Sequence, residues 1–339
     1  MATTVSISEF LKLAEIHPIL DVRTPAEFEQ GHIVGAINLS LFTNEERKII
    51  GTLYKQRGKQ VAILEALAIV GPKLQSYVKQ AISLSTTGTF LVHCWRGGMR
   101  SSSMAWFIET YGFKCVTLKG GYKSYRKLVL KGFEERKNLV ILGGKTGTGK
   151  TLVLHQLERL GEQILDLEKL AHHKGSSFGS LGELPQNSQE QFENELWYSF
   201  SKIDSTRRCW VENESRKIGR NILPLGFWLQ MQNALVLTIH LPKEERLKYL
   251  VNEYGNFDKE HLIAATSRIS KKLGGVQAKN AIEAIRAGNL ILAFEICLFY
   301  YDKTYNFGQE QRENSKIIDI EFEELNPNKM AQHLIIKTS

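Results

Sequence analysis

Leu139-Val140-Ile141-Leu142-Gly143-Gly144-Lys145-Thr146-Gly147-Thr148-Gly149-Lys150-Thr151 decides the fold of the second half of the chain. An apolar strand stops at a glycine pair. Gly144 to Thr151 then fit GxxxxGK[ST] in full and open a helix over Leu152–Leu160, the context this motif requires. Such a loop wraps backbone N–H groups around a diphosphate, with Lys150 as a point charge and Thr151 placed to hold a magnesium ion. It reads phosphates and not the group attached to them. Working outward, strands recur at Gln163–Asp166, Arg208–Glu212 and Ala234–His240 with helices between, so this half is a P-loop α/β unit.

Two of those strands end in acids. Asp166 and Glu168 follow the first, and Glu212, Glu214 and Arg216 follow Cys209-Trp210-Val211. Carboxylates at strand ends beside a phosphate loop hold a metal through water or orient a substrate hydroxyl, and His173, Ser176 and Ser177 join them as substrate or metal vicinity. Phe192, Trp197, Tyr198 and Phe200 have helical spacing and read as core.

The first half starts its own strand–helix series. Pro18–Val22, Phe90–Cys94 and Cys115–Leu118 are β-rich and alternate with helical patterns at Val61–Val70 and Ser101–Tyr111, which predicts a small parallel α/β sheet. Between the halves, Lys119–Lys137 holds seven Lys/Arg against two Glu, and the boundary is placed there: residues 1–130 and 131–339. Lys123, Arg126, Lys127 and Lys131 recur at helical spacing and suit a polyanion. The polar stretch 308–316 reads as a loop before a last strand and helix.

Cys94 directly follows a buried strand, and Trp95-Arg96-Gly97-Gly98-Met99-Arg100 leads into a helix. A loop closing onto a helix N-terminus points N–H groups at the sulfur, and the glycines permit the curvature. Those donors, the helix dipole and Arg96 or Arg100 favour the nucleophilic thiolate. Cys115, Cys209 and Cys297 sit in apolar stretches and read as core.

Four separated cysteines argue against a zinc site or a disulfide framework and suit a reducing cytoplasm. No apolar run approaches bilayer length, and the start, MATTVSISEF, lacks a signal-peptide pattern, so the expectation is a soluble protein without a membrane partner. The net charge of +8 agrees with a polyanionic partner.

The first half resembles the rhodanese family: Leu20-Asp21-Val22-Arg23-Thr24-Pro25-Ala26-Glu27-Phe28, Gly31-His32-Ile33, the cysteine loop and Gly120-Gly121-Tyr122. The resemblance implies a loop cysteine that carries sulfur or selenium as a persulfide or perselenide, with Asp21 and Arg23 structural. Arg100 falls six positions after Cys94, where many rhodaneses have five; the longer ring is similar to that of cell-cycle tyrosine phosphatases and suits a tetrahedral donor such as selenophosphate. With DLEKLAHHKGSSFGSLG, FENELW, WVENESRKIG and YYDKTY added, nearly the whole chain resembles the tRNA 2-selenouridine synthases. That resemblance implies a tRNA bearing 2-thiouridine at the wobble position, geranyl diphosphate and selenophosphate as co-substrates, an S-geranyl intermediate, and a selenophosphate-producing enzyme as a partner. His172-His173-Lys174-Gly175 departs from the family's frequent Asn-His-Arg-Gly. Two other readings compete: an ATP-dependent kinase or sulfurtransferase with a sulfur-carrier domain, and a phosphatase-like or inactive N-terminal module that recruits partners.

Overall fold

The computed structural model describes residues 2–310 and 316–338, which form two compact units: 1–132 with 193–198, and 133–192 with 199–339. Both contain a five-stranded parallel sheet. The first has β1 (Thr3–Val5), β2 (Ile19–Asp21), β3 (Ile37–Asn38), β4 (Thr89–His93) and β5 (Lys114–Leu118), in the spatial order β1-β5-β4-β2-β3. The chain leaves β2 for β3 on one side and returns through β4 to β5 on the other. Where connections diverge in this way, a crevice opens at the carboxyl ends of the strands. Cys94 stands there.

Phe90, Val92, Met104, Ala105 and Ile108 build the core beside that crevice. Asp21 and Arg23 are fully buried, with Arg23 donating to Asp21 at 2.6 and 3.0 Å and to the Gly31 carbonyl at 2.6 Å, while its guanidinium covers the Tyr122 ring at 3.8 Å. The pair ties the turn after β2 into the sheet. Thr24 and Glu27 form a capping box at the helix Pro25–Gln30, which fixes the direction in which Glu27 projects.

Residues Lys59–Leu84 run as a helix, a 3-10 turn at Gly71–Lys73 and a second helix. This stretch is apolar and long enough by composition to cross a membrane, at mean hydropathy 1.3, which corrects the expectation that no such run exists. The sequence reading missed it because the Gly71-Pro72 break divides two short helical patterns. Val70, Tyr77 and Ala81 are buried in the core of this unit, whereas Val61, Leu64, Leu67 and Ile82 of the same stretch are exposed.

The second unit has β6 (Leu139–Gly144), β7 (Gln163–Leu165) and β8 (Cys209–Glu212), then an antiparallel pair β9 (Lys217–Ile218) and β10 (Asn221–Ile222), then β11 (Leu235–His240) and β12 (Ile317–Glu321). Its sheet runs β12-β11-β6-β8-β7. All six residues of β6 are buried, as a central strand covered on both faces requires. Between β11 and β12 lie five helices, from Lys243–Tyr254 to Leu290–Glu310, with an apolar core of their own that includes Leu250, Tyr254, Ala265, Ile285 and Phe294. This block was not foreseen from the sequence. The polar stretch 308–316 begins inside the last of these helices, and residues 311–315 lie outside the described residues. Phe192, Trp197 and Phe200 are buried as expected, whereas Tyr198 is exposed.

Candidate functional sites

Strand β4 ends at His93, and the chain bends through Trp95–Gly98 into the helix Met99–Thr110. Gly97 has φ +66°, and a Cβ there would collide with the Leu118 carbonyl; Gly121, at φ +59°, would strike the Cys94 carbonyl. Only glycine lets the two segments approach this closely. Tyr122 and Lys123 donate their N–H groups to the Cys94 and Trp95 carbonyls at 2.8 and 2.9 Å, which holds the loop from outside.

Inside the loop, the Gly98 N–H donates to Cys94 Sγ at 3.3 Å, and Ser101 Oγ lies 3.3 Å from the same sulfur. Gly98 supplies no side-chain cap, so the first N–H groups of the helix remain for the loop and its contents. Burial pushes the Cys94 thiol up, but the Ser101 hydroxyl, the Gly98 and Ser101 amides and the Arg100 charge outweigh it, and the thiol ionises below its ordinary range. The other three cysteines are buried with nothing comparable, and burial raises their thiols to about 12, 12 and 11. Arg100 is itself held by Glu27 at 2.7 and 3.2 Å, so it acts on the sulfur as a fixed nearby charge. Arg96 is exposed.

In the second unit Gly147 and Gly149 take left-handed φ values of +86° and +69°, and Gly149 starts the helix Lys150–Arg159 without a side-chain cap. Lys150 Nζ donates to the Gly144 carbonyl at 3.0 Å, and Thr148 Oγ1 donates to the Lys145 carbonyl at 2.8 Å. Thr151 Oγ1 meets Glu212 Oε1 at 2.8 Å and Glu168 Oε2 at 3.1 Å. Burial, followed by mutual repulsion, raises Glu212 well above its ordinary value, and burial together with the Glu168 charge lifts Glu214 to about 8. Glu168 is also raised by burial, against the pull of Lys150. Carboxylates this crowded take up protons or a cation.

The remaining expected residues divide. Asp166 is committed locally, capping the helix Leu167–Ala171 through the Lys169 amide at 2.8 Å and bonding His155 Nε2 at 2.7 Å. Ser177 donates to the Ala265 carbonyl at 2.6 Å, and Ser176 Oγ accepts the Phe178 amide at 3.1 Å; both shape the loop carrying His173. The His173 imidazole is held below its ordinary value by burial and the Arg268 charge, and its Nδ1 is buried with no hydrogen-bond partner among the described residues. Lys174 pairs with Glu253 at 2.5 Å, and Arg216 is exposed. On the helix Gly121–Gly132, Lys123, Lys127 and Lys131 form an exposed stripe opposite buried Tyr122, Tyr125 and Val129. Arg126 leaves that stripe: it donates to Asn194 Oδ1 at 2.6 Å and pairs with Glu193.

Sequence reasoning missed Glu27 and Ser101 as partners of the cysteine loop, although both lie in segments it singled out. It missed Arg246, Asp302 and Tyr305 beside the phosphate loop. Tyr305 and Asp302 sit in the quoted YYDKTY, whereas Arg246 has no signal of its own.

Comparison with known proteins agrees with this geometry. A family model described as the tRNA 2-selenouridine synthase AAA domain matches residues 137–333, and the rhodanese-like domain model matches residues 6–128. A tRNA 2-selenouridine synthase of Shewanella frigidimarina is 33% identical over 344 residues, covering 94% of this chain and 88% of the relative. One from Shewanella denitrificans is 31% identical, covering 90% and 92%, and one from Serratia proteamaculans 38% identical, covering 70% and 64%.

Proposed function

Because the chain belongs to the tRNA 2-selenouridine synthase family, we propose that it converts wobble-position 2-thiouridine in tRNA to 2-selenouridine through an S-geranyl intermediate. Geranyl diphosphate supplies the alkyl group and selenophosphate the selenium. In the first step the thiocarbonyl sulfur attacks the prenyl carbon, the carbon–oxygen bond to diphosphate breaks, and the loop amides with Lys150 stabilise the departing charge. Alkylation makes the ring carbon more electrophilic and turns the sulfur into a leaving group. In the second step the selenium of selenophosphate adds at that carbon, the carbon–sulfur bond breaks and geranyl thiol departs, and water then cleaves the selenium–phosphorus bond to release phosphate, with Cys94 guiding the selenium and Gly97, Gly98 and the nearby Arg96 and Arg100 holding the donor.

Thr151 with Glu212 and Glu168 fits a magnesium ion held through the hydroxyl and through water, because crowded carboxylates beside a threonine hydroxyl are the hard oxygen donors this ion takes. Such an ion would neutralise diphosphate charge.

The observation that carries this reading is the Cys94 sulfur, met at 3.3 Å by both the Gly98 amide and the Ser101 hydroxyl at the carboxyl end of a parallel sheet, in a chain that also holds a complete phosphate loop. An assay with thiolated tRNA, geranyl diphosphate and selenophosphate, read by nucleoside mass spectrometry, tests it. S-geranyl-2-thiouridine should appear first and 2-selenouridine should follow. ATP-dependent thiolation or phosphorylation without either product would favour the kinase or sulfurtransferase reading instead.

A further inference from the structure

The Tyr305 and Arg246 side chains, both from outside the Gly144–Thr151 segment, hydrogen-bond to its backbone. The Tyr305 hydroxyl accepts the Gly144 N–H at 2.7 Å, and Arg246 Nε donates to the Thr146 carbonyl at 2.9 Å. Arg246 is 5% exposed, and its terminal nitrogens grip Asp302 at 2.9 and 2.5 Å. Asp302 and Tyr305 stand three residues apart on the helix Leu290–Glu310, a spacing that puts neighbouring side chains on one face. The approach is close at both ends: a Cβ on Gly143 would lie 3.0 Å from the Tyr305 hydroxyl, and one on Gly147 would lie 2.9 Å from the Arg246 carbonyl.

These bonds decide which way the peptide planes of the loop face. An anion is bound by N–H groups that converge on it, and one flipped peptide replaces a donor with a carbonyl oxygen that repels it. Arg246 engages the Thr146 carbonyl in the middle of the loop, and Tyr305 pins the Gly144 amide at its start. Asp302 offsets the buried guanidinium charge and fixes its fork, a task Lys could not perform at position 246.

We propose that Tyr305 and the Arg246–Asp302 pair are positioning residues that lock the phosphate loop in its anion-receiving form, so that the helix Leu290–Glu310 sets the affinity of the site for a diphosphate. This rests on the reading of the loop as the diphosphate site. It is tested by titrating the full-length protein with inorganic diphosphate in a calorimeter. Tyr305→Phe, which removes one hydroxyl, should weaken binding about five- to tenfold. Asp302→Asn and Arg246→Lys should weaken it at least as much, while tRNA affinity and thermal midpoint stay near wild type in Tyr305→Phe. In turnover, KM for geranyl diphosphate should rise with KM for tRNA unchanged; a purely structural role would lower the active fraction and leave KM alone. Wild-type diphosphate affinity in both Tyr305→Phe and Asp302→Asn overturns the proposal, as does a parallel loss of tRNA binding and folding in Tyr305→Phe. Should wild-type protein bind inorganic diphosphate, lose that binding in these variants and yet transfer no geranyl group, the positioning role stands and the proposed reaction fails.

Discussion

At Cys94 burial works against ionisation, and two amides, a hydroxyl and a fixed arginine work for it, with the Ser101 hydroxyl the largest of the favourable contributions. Native-state alkylation should therefore label Cys94 at lower pH than an ordinary thiol and spare Cys115, Cys209 and Cys297. Ser101→Ala should move the Cys94 pH–rate profile upward, as read by peptide mass spectrometry; an unmoved profile would reject the hydroxyl's role. Glu214 gives a second pH dependence, of opposite consequence for the fold. Its folded value of about 8 lies above the ordinary 4.5, so the folded chain keeps a proton that the unfolded chain releases. The resulting stabilisation is complete below the ordinary value and is lost as pH rises through the folded one. The thermal midpoint should fall across that window, and Glu214→Gln should remove part of the fall; equal slopes in the two proteins would count against a protonated Glu214. The cysteine, its glycines and the phosphate-loop residues were legible because covalent spacing alone brings them together. Glu27 was not, since its contact with Arg100 spans 73 positions and depends on the capping box that aims it.

The helix Gly121–Gly132 shows how spacing misleads by one residue. Lys123, Arg126, Lys127 and Lys131 share a helical pattern, yet a step of three residues rather than four turns Arg126 toward Asn194 and Glu193, where it is half-buried and paired. The exposed stripe is therefore a lysine stripe, and we propose it as part of the tRNA path. A Lys123/Lys127/Lys131→Ala triple variant should bind tRNA more weakly, with a salt slope reduced by about one unit for each phosphate that no longer meets a lysine. Arg126→Ala should instead lower stability, because it removes the hydrogen bond to Asn194 and the ion pair with Glu193, and should leave the slope unchanged. An unchanged slope in the triple variant would make the stripe a solvated face. Strand and helix positions near both loops were readable from apolar runs and glycine breaks. The five helices between β11 and β12 were not, because their apolar residues pack against one another and carry no motif.

Each of the two parallel sheets carries a loop at the carboxyl ends of its strands, the cysteine loop in one unit and the GxxxxGK[ST] loop in the other, and under the proposed function nucleophile and phosphate chemistry are divided between them. The restart of the strand–helix rhythm made this duplication visible in the sequence, whereas the clustering of residues 193–198 with the first unit was not, since it joins segments far apart in the chain. The division predicts separable reactions. Under the proposed reaction Lys150→Ala removes the loop lysine assigned to the leaving diphosphate, and it should slow geranyl transfer on the order of a hundredfold or more, with selenation failing for want of its substrate. Cys94→Ser leaves the phosphate loop untouched, so geranylation should survive. Its hydroxyl stays protonated in a loop that ionises a thiol, so selenation should stop and S-geranyl-2-thiouridine should accumulate. Each variant then keeps the unit that the other has lost. Mixed in one reaction with thiolated tRNA and both donors, they should restore 2-selenouridine after a lag, because the geranylated tRNA must leave one protein and bind the other. A lag that shortens as Cys94→Ser protein is added, and then as Lys150→Ala protein is added, would identify the released tRNA as the shared intermediate. A mixture in which S-geranyl-2-thiouridine accumulates and no selenium enters would show that the two steps require both units in one chain, and loss of geranylation in Cys94→Ser alone would show that the cysteine loop shapes the first step as well.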